Sequence, residues 1–158
     1  MRKRGASCLL FLVALGVLML DQATKLAAVR WLPGQGVDLV WGAVTLRLSR
    51  NAGAAFGLLA NAGVVVALAA LAVTLVVIWS VRRVPGRGYA VALGLLLGGS
   101  LGNLTDRLVR SPGLLRGRVV DFVDFHVWPV FNMADIGIVV GAGLVLLFSW
   151  RQERRGRE

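Results

Sequence analysis

Eight carboxylates occur in 158 residues, and five of them, Asp21, Asp106, Asp121, Asp124 and Asp135, lie inside long apolar stretches or at their ends. An ionisable group at the centre of a bilayer costs roughly 2.5–3.5 kcal/mol on insertion scales, so such groups pair with one another or line a water-filled site. Asp135 lies five residues into an apolar run, in Phe131-Asn132-Met133-Ala134-Asp135-Ile136-Gly137, with Asn132 three residues earlier on the same helix face. Asp121 stands just before that run, in Val119-Val120-Asp121-Phe122, and Asn103 stands one turn before Asp106. Two carboxylates held close together cannot both ionise cheaply. One then keeps a proton while the other acts as a general base on water, as in aspartic proteases. One cysteine and one histidine exclude a disulfide framework, a cysteine-based zinc or iron–sulfur site and a multi-histidine metal site. The chemistry is expected to need no cofactor and no metal.

Residue type and spacing alone leave Asp121 and Asp135 open between catalysis and a structural or transport role. The remaining polar residues have simpler readings. Asp21 and Lys25 are spaced i, i+4 on a helix and read as a structural ion pair, as do Asp106 and Arg107. Asp124 reads as a solvated loop carboxylate, Asp38 as a solvated charge, His126 as an interfacial or packing histidine, and Cys8 as a small buried residue.

The elements that must carry these groups are membrane spans. The chain is 57% hydrophobic and only 16% charged, where a soluble domain has about a quarter charged residues. Its mean hydropathy is +0.74. Apolar stretches at about residues 8–29, 63–81, 89–109 and 130–150 each approach the roughly 20 residues a spanning helix needs. They predict one membrane domain over residues 1–158, all-α, with four transmembrane helices. Arg2-Lys3-Arg4 before an apolar run is also the opening of a secretory signal peptide. The run continues through Asp21–Lys25 without an Ala-x-Ala site, so it reads as a retained first span.

The net charge of +10 is unevenly spread. The N-terminus, the segment between spans two and three and the C-terminal tail together hold ten basic residues and two acids. Four spans put all three on one side, which the positive-inside rule makes the cytoplasm. The basic residues sit in short clusters between apolar runs and form no continuous face for phosphates, so no nucleic-acid partner is expected. On the other side lies a segment of about residues 30–61. There Val44, Leu46 and Leu48 alternate with Thr45, Arg47 and Ser49 as in a strand, with Val37–Trp41 as its hairpin partner and Gly42-Ala43 near the turn. Residues from Arg110 to about Pro129 read as a second, shorter outer segment. Trp31, Trp41, Trp79, Trp128 and Trp150 lie near span ends and read as interfacial anchors. Gly98-Gly99-Ser100-Leu101-Gly102 reads as a close helix–helix contact.

The polar clusters, taken in order, resemble those of the bacterial lipoprotein signal peptidases, the type II signal peptidases. Leu20-Asp21-Gln22-Ala23-Thr24-Lys25 is similar to that family's span-one motif, and Asn51-Ala52-Gly53-Ala54-Ala55-Phe56-Gly57 to its Asn-x-Gly-Ala-Ala-Phe motif. Gly102-Asn103-Leu104-Thr105-Asp106-Arg107 resembles its Gly-Asn-x-x-Asp-Arg motif. Val119-Val120-Asp121-Phe122 and Phe131-Asn132-Met133-Ala134-Asp135 resemble the two motifs that carry its catalytic aspartates, whereas Val123-Asp124-Phe125 repeats the first only in part. The resemblance implies an intramembrane aspartic endopeptidase of the bacterial inner membrane, with Asp121 and Asp135 as its catalytic pair. It implies that Asp21, Lys25, Asn51, Gly53, Asn103, Asp106, Arg107 and Asn132 bind substrate or order the site. It implies prolipoprotein substrates carrying a diacylglyceryl cysteine, met in membrane lipid and cut just before that cysteine. It also implies a small extracytoplasmic sheet at Val37–Ser49 and a short amphipathic helix at Ala54–Asn61.

Overall fold

The computed structural model describes residues 2–32, 34–53 and 62–155. The expected helix at Ala54–Asn61, and with it the end of the motif that begins at Asn51, lies outside the described residues. Four helices account for most of the chain: α1 (Arg2–Trp31), α2 (Ala62–Ser80), α3 (Arg87–Val109) and α4 (Met133–Arg155). Each contains a segment long and apolar enough to cross a membrane. In hydrocarbon every backbone N–H and C=O must be satisfied within the element, and a helix is the form in which one continuous segment does this. Large apolar side chains such as Leu12, Leu15, Met19, Leu75, Val76, Val139 and Leu146 point outward and are exposed, as suits a lipid-facing surface. Cys8 is also exposed, not buried as its size and type suggest. The bundle interior at that level is filled by Ala6 and Leu10, one turn-face away.

Helix α3 is the central helix, packed against α1, α2 and α4. It can be central because glycines on its faces toward α1 and α4 let those helices approach closely. A Cβ on Gly94 would meet the Leu10 backbone oxygen, one on Gly98 the Ala14 oxygen, and one on Gly99 the Ala134 oxygen. The glycine run is therefore the helix–helix contact its composition suggests. Gly99→Ala is expected to lower stability by about 1–3 kcal/mol, because the added methyl must push α4 away. Thermal unfolding in detergent would measure it.

Three strands form an antiparallel sheet of order β1-β2-β3: β1 (Val37–Leu39), β2 (Val44–Asn51) and β3 (Val119–Asp124). The hairpin is close to the expected one, but β1 stops at Leu39, and Val40–Gly42 make a single 3-10 turn. β3 is the correction. The segment after Arg110 was expected to be loop, and instead its residues pair with β2, with Ser49 opposite Asp121 and Thr45 opposite Asp124. Val119-Val120-Asp121-Phe122 has no polar–apolar alternation because both faces of β3 are covered, so the period-2 signal is absent.

β3 then leads into α4 by a short return. Phe131 pairs with Val123 in an isolated bridge, which holds the chain extended until Asn132. Helix α4 therefore starts at Met133, and Asp135 lies in its first turn instead of five residues inside. The sheet sits at the end of the bundle where α1 and α3 finish and α4 begins. A small core of Ala28, Val120 and Phe122, with Leu46, Leu48 and Met133 around it, fastens the sheet to α1 and α4.

Candidate active site

The site is assembled where four elements meet, and the start of α4 explains much of it. A helix leaves its first backbone N–H groups without intrahelical partners. Here Asn132 Oδ1 accepts from the Asp135 N–H at 3.1 Å, and Asp135 Oδ2 accepts from the Asn132 N–H at 3.2 Å. This is a reciprocal capping box built from Asn and Asp. The Ala134 N–H is taken up by Asp21 Oδ1 of α1 at 2.9 Å. Asp135 is thus fixed by the geometry that starts its own helix.

Asn132 also joins the two carboxylates. It is fully buried, and its Nδ2 donates to Asp121 Oδ1 at 2.6 Å while its backbone N–H serves Asp135. Asn103 Nδ2 from α3 donates to the other oxygen of Asp135 at 2.8 Å. On the sheet side, the Asn51 side chain lies beside the Asp121 carboxylate and favours its charged form. Asn51 Oδ1 accepts from the Gly53 N–H at 2.8 Å, and Gly53 has a φ of +101°, a backbone state that glycine adopts without strain. That turn orients Asn51. Asp121 is only 2% exposed. Burial first, and the nearby Asp135 charge second, push its carboxyl up to about 6 against the opposing influence of Asn51 and Asn132.

Behind the two aspartates lies a buried ionic layer. Lys25 is fully buried, and its Nζ reaches Asp21 Oδ2 at 2.8 Å, Asp106 Oδ2 at 3.1 Å and Asn103 Oδ1 at 3.0 Å. Asp106 in turn accepts from the Val120 N–H at 3.1 Å and from Arg110 Nε at 2.8 Å. This layer ties α1, α3, α4 and β3 together, so the ion pair expected of Asp21 and Lys25 extends into a network. The pairing expected between Asp106 and Arg107 is not found. Neighbours in a helix point in different directions, whereas residues four apart face each other, and Asp106 pairs with Arg110 accordingly. Arg107 turns the other way. Its Nε donates to the Gly63 oxygen at the start of α2, its Nη1 donates to the Asn103 oxygen, and it lies within the fields of Asp121 and Asp135.

All ten residues singled out from the sequence fall in or beside this cluster. Three that were not singled out as site residues join it. Gln22 Nε2 donates to Asp21 Oδ2 at 3.0 Å and to the Gly102 oxygen at 3.2 Å. Arg110 caps the ionic layer, and its i, i+4 spacing from Asp106 was its available signal. Gly102 belongs too, since a Cβ there would press on the Asp21 carboxylate.

Asp124 stands apart and is not the solvated loop residue expected. It is buried on β3, ion-paired with Arg47, and accepts from the His126 N–H at 2.8 Å. The Arg47 hydrogen bond holds its carboxyl below the usual range. Residues three apart on one strand point to opposite faces, so Asp124 faces away from Asp121 and Asp135. His126 is half exposed, and its Nε2 lies 2.9 Å from Thr45 Oγ1, which also donates to Asp38.

This architecture and its residues have relatives. A family model described as signal peptidase (SPase) II matches residues 13–151. The lipoprotein signal peptidase of Mycolicibacterium smegmatis is 49% identical over 142 residues, covering 89% of this chain and 60% of that protein. The one from Mycobacterium avium is 47% identical over the same length, covering 89% of this chain and 78% of its own. The chain thus spans less than two thirds of the first of these relatives. Two solved structures of bacterial membrane enzymes superpose on it with TM-scores of 0.78 and 0.73, at 26% and 27% identity. They cover 94% and 90% of this chain, and 90% and 91% of their own. On the extent of the family match and the identity to these relatives, the chain belongs to the signal peptidase II family.

Proposed function

We propose that this chain is an aspartic endopeptidase of the bacterial inner membrane that removes the signal peptide from diacylglyceryl-modified prolipoproteins. Asp121 and Asp135 are its catalytic pair. The single observation that carries this reading is that one buried residue, Asn132, hydrogen-bonds both carboxylates while Asp121 has its carboxyl raised to about 6. The whole chain acts as one membrane unit with both termini in the cytoplasm, its basic clusters inside and its sheet outside.

Burial favours the protonated form of Asp121, which makes it the general acid. Asp135, whose two oxygens both accept hydrogen bonds, has no donor role to fill and serves as the base. Asp135 removes a proton from water, the water oxygen attacks the scissile carbonyl carbon, and Asp121 delivers its proton to the carbonyl oxygen. The tetrahedral intermediate collapses with cleavage of the C–N bond: Asp135 passes its proton to the leaving amine of the lipidated cysteine, and a hydroxyl of the intermediate returns a proton to Asp121 as the C=O re-forms, which restores both carboxyls to their starting states. Asn51, Asn103, Asn132 and Arg107 hold the pair and the substrate backbone. Asp21, Lys25 and Asp106 keep the elements that carry them together, and Gly53 sets the Asn51 turn.

A transport reading has less support. The ionisable groups inside the spans, Asp21, Lys25, Asp106, Arg107 and Asp135, all lie toward the sheet end of the bundle, and α2 from Ala62 to Ser80 has none. A proton path across the bilayer would need carboxylates at both depths.

Turnover of a diacylglyceryl-modified substrate peptide by the purified protein tests the proposal, and its pH profile tests the roles. Because Asp121 must be protonated and its carboxyl lies near 6, kcat/KM is expected to fall as pH rises through about 6, approaching tenfold per pH unit beyond it. A flat profile between about pH 5 and 8 would rule out Asp121 as the acid.

A further inference from the structure

Arg50 on β2, Arg110 and Ser111 at the end of α3, Arg118 just before β3, and Val29 and Val120 line a cavity of about 240 Å³. We propose that these three arginines bind the phosphate of an anionic phospholipid headgroup at the sheet end of the bundle. The proposal rests on reading the helices as membrane spans and is independent of the catalytic pair.

Charge is the first argument. Asp21, Lys25, Asp106 and Arg110 neutralise one another in the ionic layer. Arg50 and Arg118 are then left over: among the described residues neither side chain has an ion-pair or hydrogen-bond partner. Residues 54–61, which lie outside the described residues, contain no acid that could supply one. Arg50 and Arg118, lining one cavity with no carboxylate of their own beside an Arg110 whose Nε is held by Asp106, are complementary to a phosphate, which guanidinium groups bind through paired N–H donors.

Depth is the second argument. Val29 is in the last turn of α1, and Trp31, highly exposed, ends that helix. Exposed tryptophans mark the headgroup level of a bilayer. Below the arginines the same two helices expose Leu26, Leu108 and Val109, an apolar surface for acyl chains. Basic pockets between spanning helices hold acidic lipid headgroups on the cytoplasmic side of membranes, and the same guanidinium–phosphate chemistry is available to a pocket at the opposite headgroup level.

The test is native mass spectrometry of the full chain in non-ionic detergent with added phosphatidylglycerol or phosphatidylcholine. Phosphatidylglycerol is expected to bind, and Arg50→Ala/Arg118→Ala to weaken that binding about tenfold or more. Arg82→Ala/Arg83→Ala, which removes the same charge at the opposite end of the bundle, should leave it unchanged. Arg118→Ala alone should shift binding in the same direction, so the test stands even if the double variant fails to fold. Undiminished binding in the Arg50 and Arg118 variants, an equal loss in the Arg82/Arg83 variant, or equal binding of phosphatidylcholine would overturn the proposal. Displacement of the lipid by excess inorganic phosphate would also overturn it, because the site would then be one for a free anion.

Discussion

Asp121→Asn is expected to give a protein that melts higher than the wild type at neutral pH and no longer turns over substrate. The two effects have one cause. Folding buries the Asp121 carboxyl beside Asp135 and raises it from 3.8 to about 6. Between those pH values the native state holds more protons than the unfolded state, so stability falls as pH rises through that window. Above about pH 6 the loss amounts to about 3 kcal/mol, two pK units at 1.36 kcal/mol each. Asparagine carries no charge, and its oxygen can still accept from Asn132 Nδ2. The variant should therefore gain up to about 3 kcal/mol at pH 8 and lose most of that advantage near pH 4. Thermal unfolding in detergent at the two pH values measures this. The same substitution removes the proposed proton donor, and loss of a general acid or base costs about 10²–10⁴-fold in rate. Asp135→Asn should show the same loss of turnover. Asp124→Asn, on the opposite face of β3 and paired with Arg47, should keep most activity. A catalytically dead Asp124→Asn beside an active Asp121→Asn would move the catalytic assignment.

Lys25→Met carries the second large effect. Lys25 is fully buried and lies between Asp21 and Asp106, which are themselves buried. Methionine fills similar space but removes the cation between the two carboxylates, which leaves Asp21 without an ion-pair partner and Asp106 with Arg110 alone. Breaking a buried pair by removing one partner costs about 3–5 kcal/mol, and here two carboxylates lose it together. The expected result is a protein that unfolds at a much lower temperature or fails to accumulate. Adding Asp21→Asn to Lys25→Met should recover part of the loss, because only the Asp106 charge then remains and Arg110 still pairs with it. If Lys25→Met were as stable as the wild type, the ionic layer would not be what ties α1 to α3 and β3.

The four helices were legible because their signal is length and apolarity, which a bilayer imposes on each segment separately. β2 was legible for a similar reason, since Val44, Leu46 and Leu48 alternate locally. β3 was not, because burial on both faces erased the alternation and its pairing partner lies some seventy residues earlier. The aspartates were legible as anomalies in apolar sequence, but their partners depended on direction around a helix. Asp106 next to Arg107 looked like a pair, yet only Arg110, four residues on, can face it. The Asn132–Asp135 spacing was legible as one helix face; that it is also the cap of α4 required knowing that the bridge to Val123 delays the helix start. Asp124 was misread as loop for the same reason that β3 was missed.

The most direct test of the central claim is mass spectrometry of the products formed when the purified full chain meets a diacylglyceryl-modified prolipoprotein. One cut is predicted, immediately before the lipidated cysteine, made by the wild type and absent with Asp121→Asn or Asp135→Asn. An intact substrate after prolonged incubation with folded wild type, or the same cut made at an undiminished rate by either variant, would contradict it.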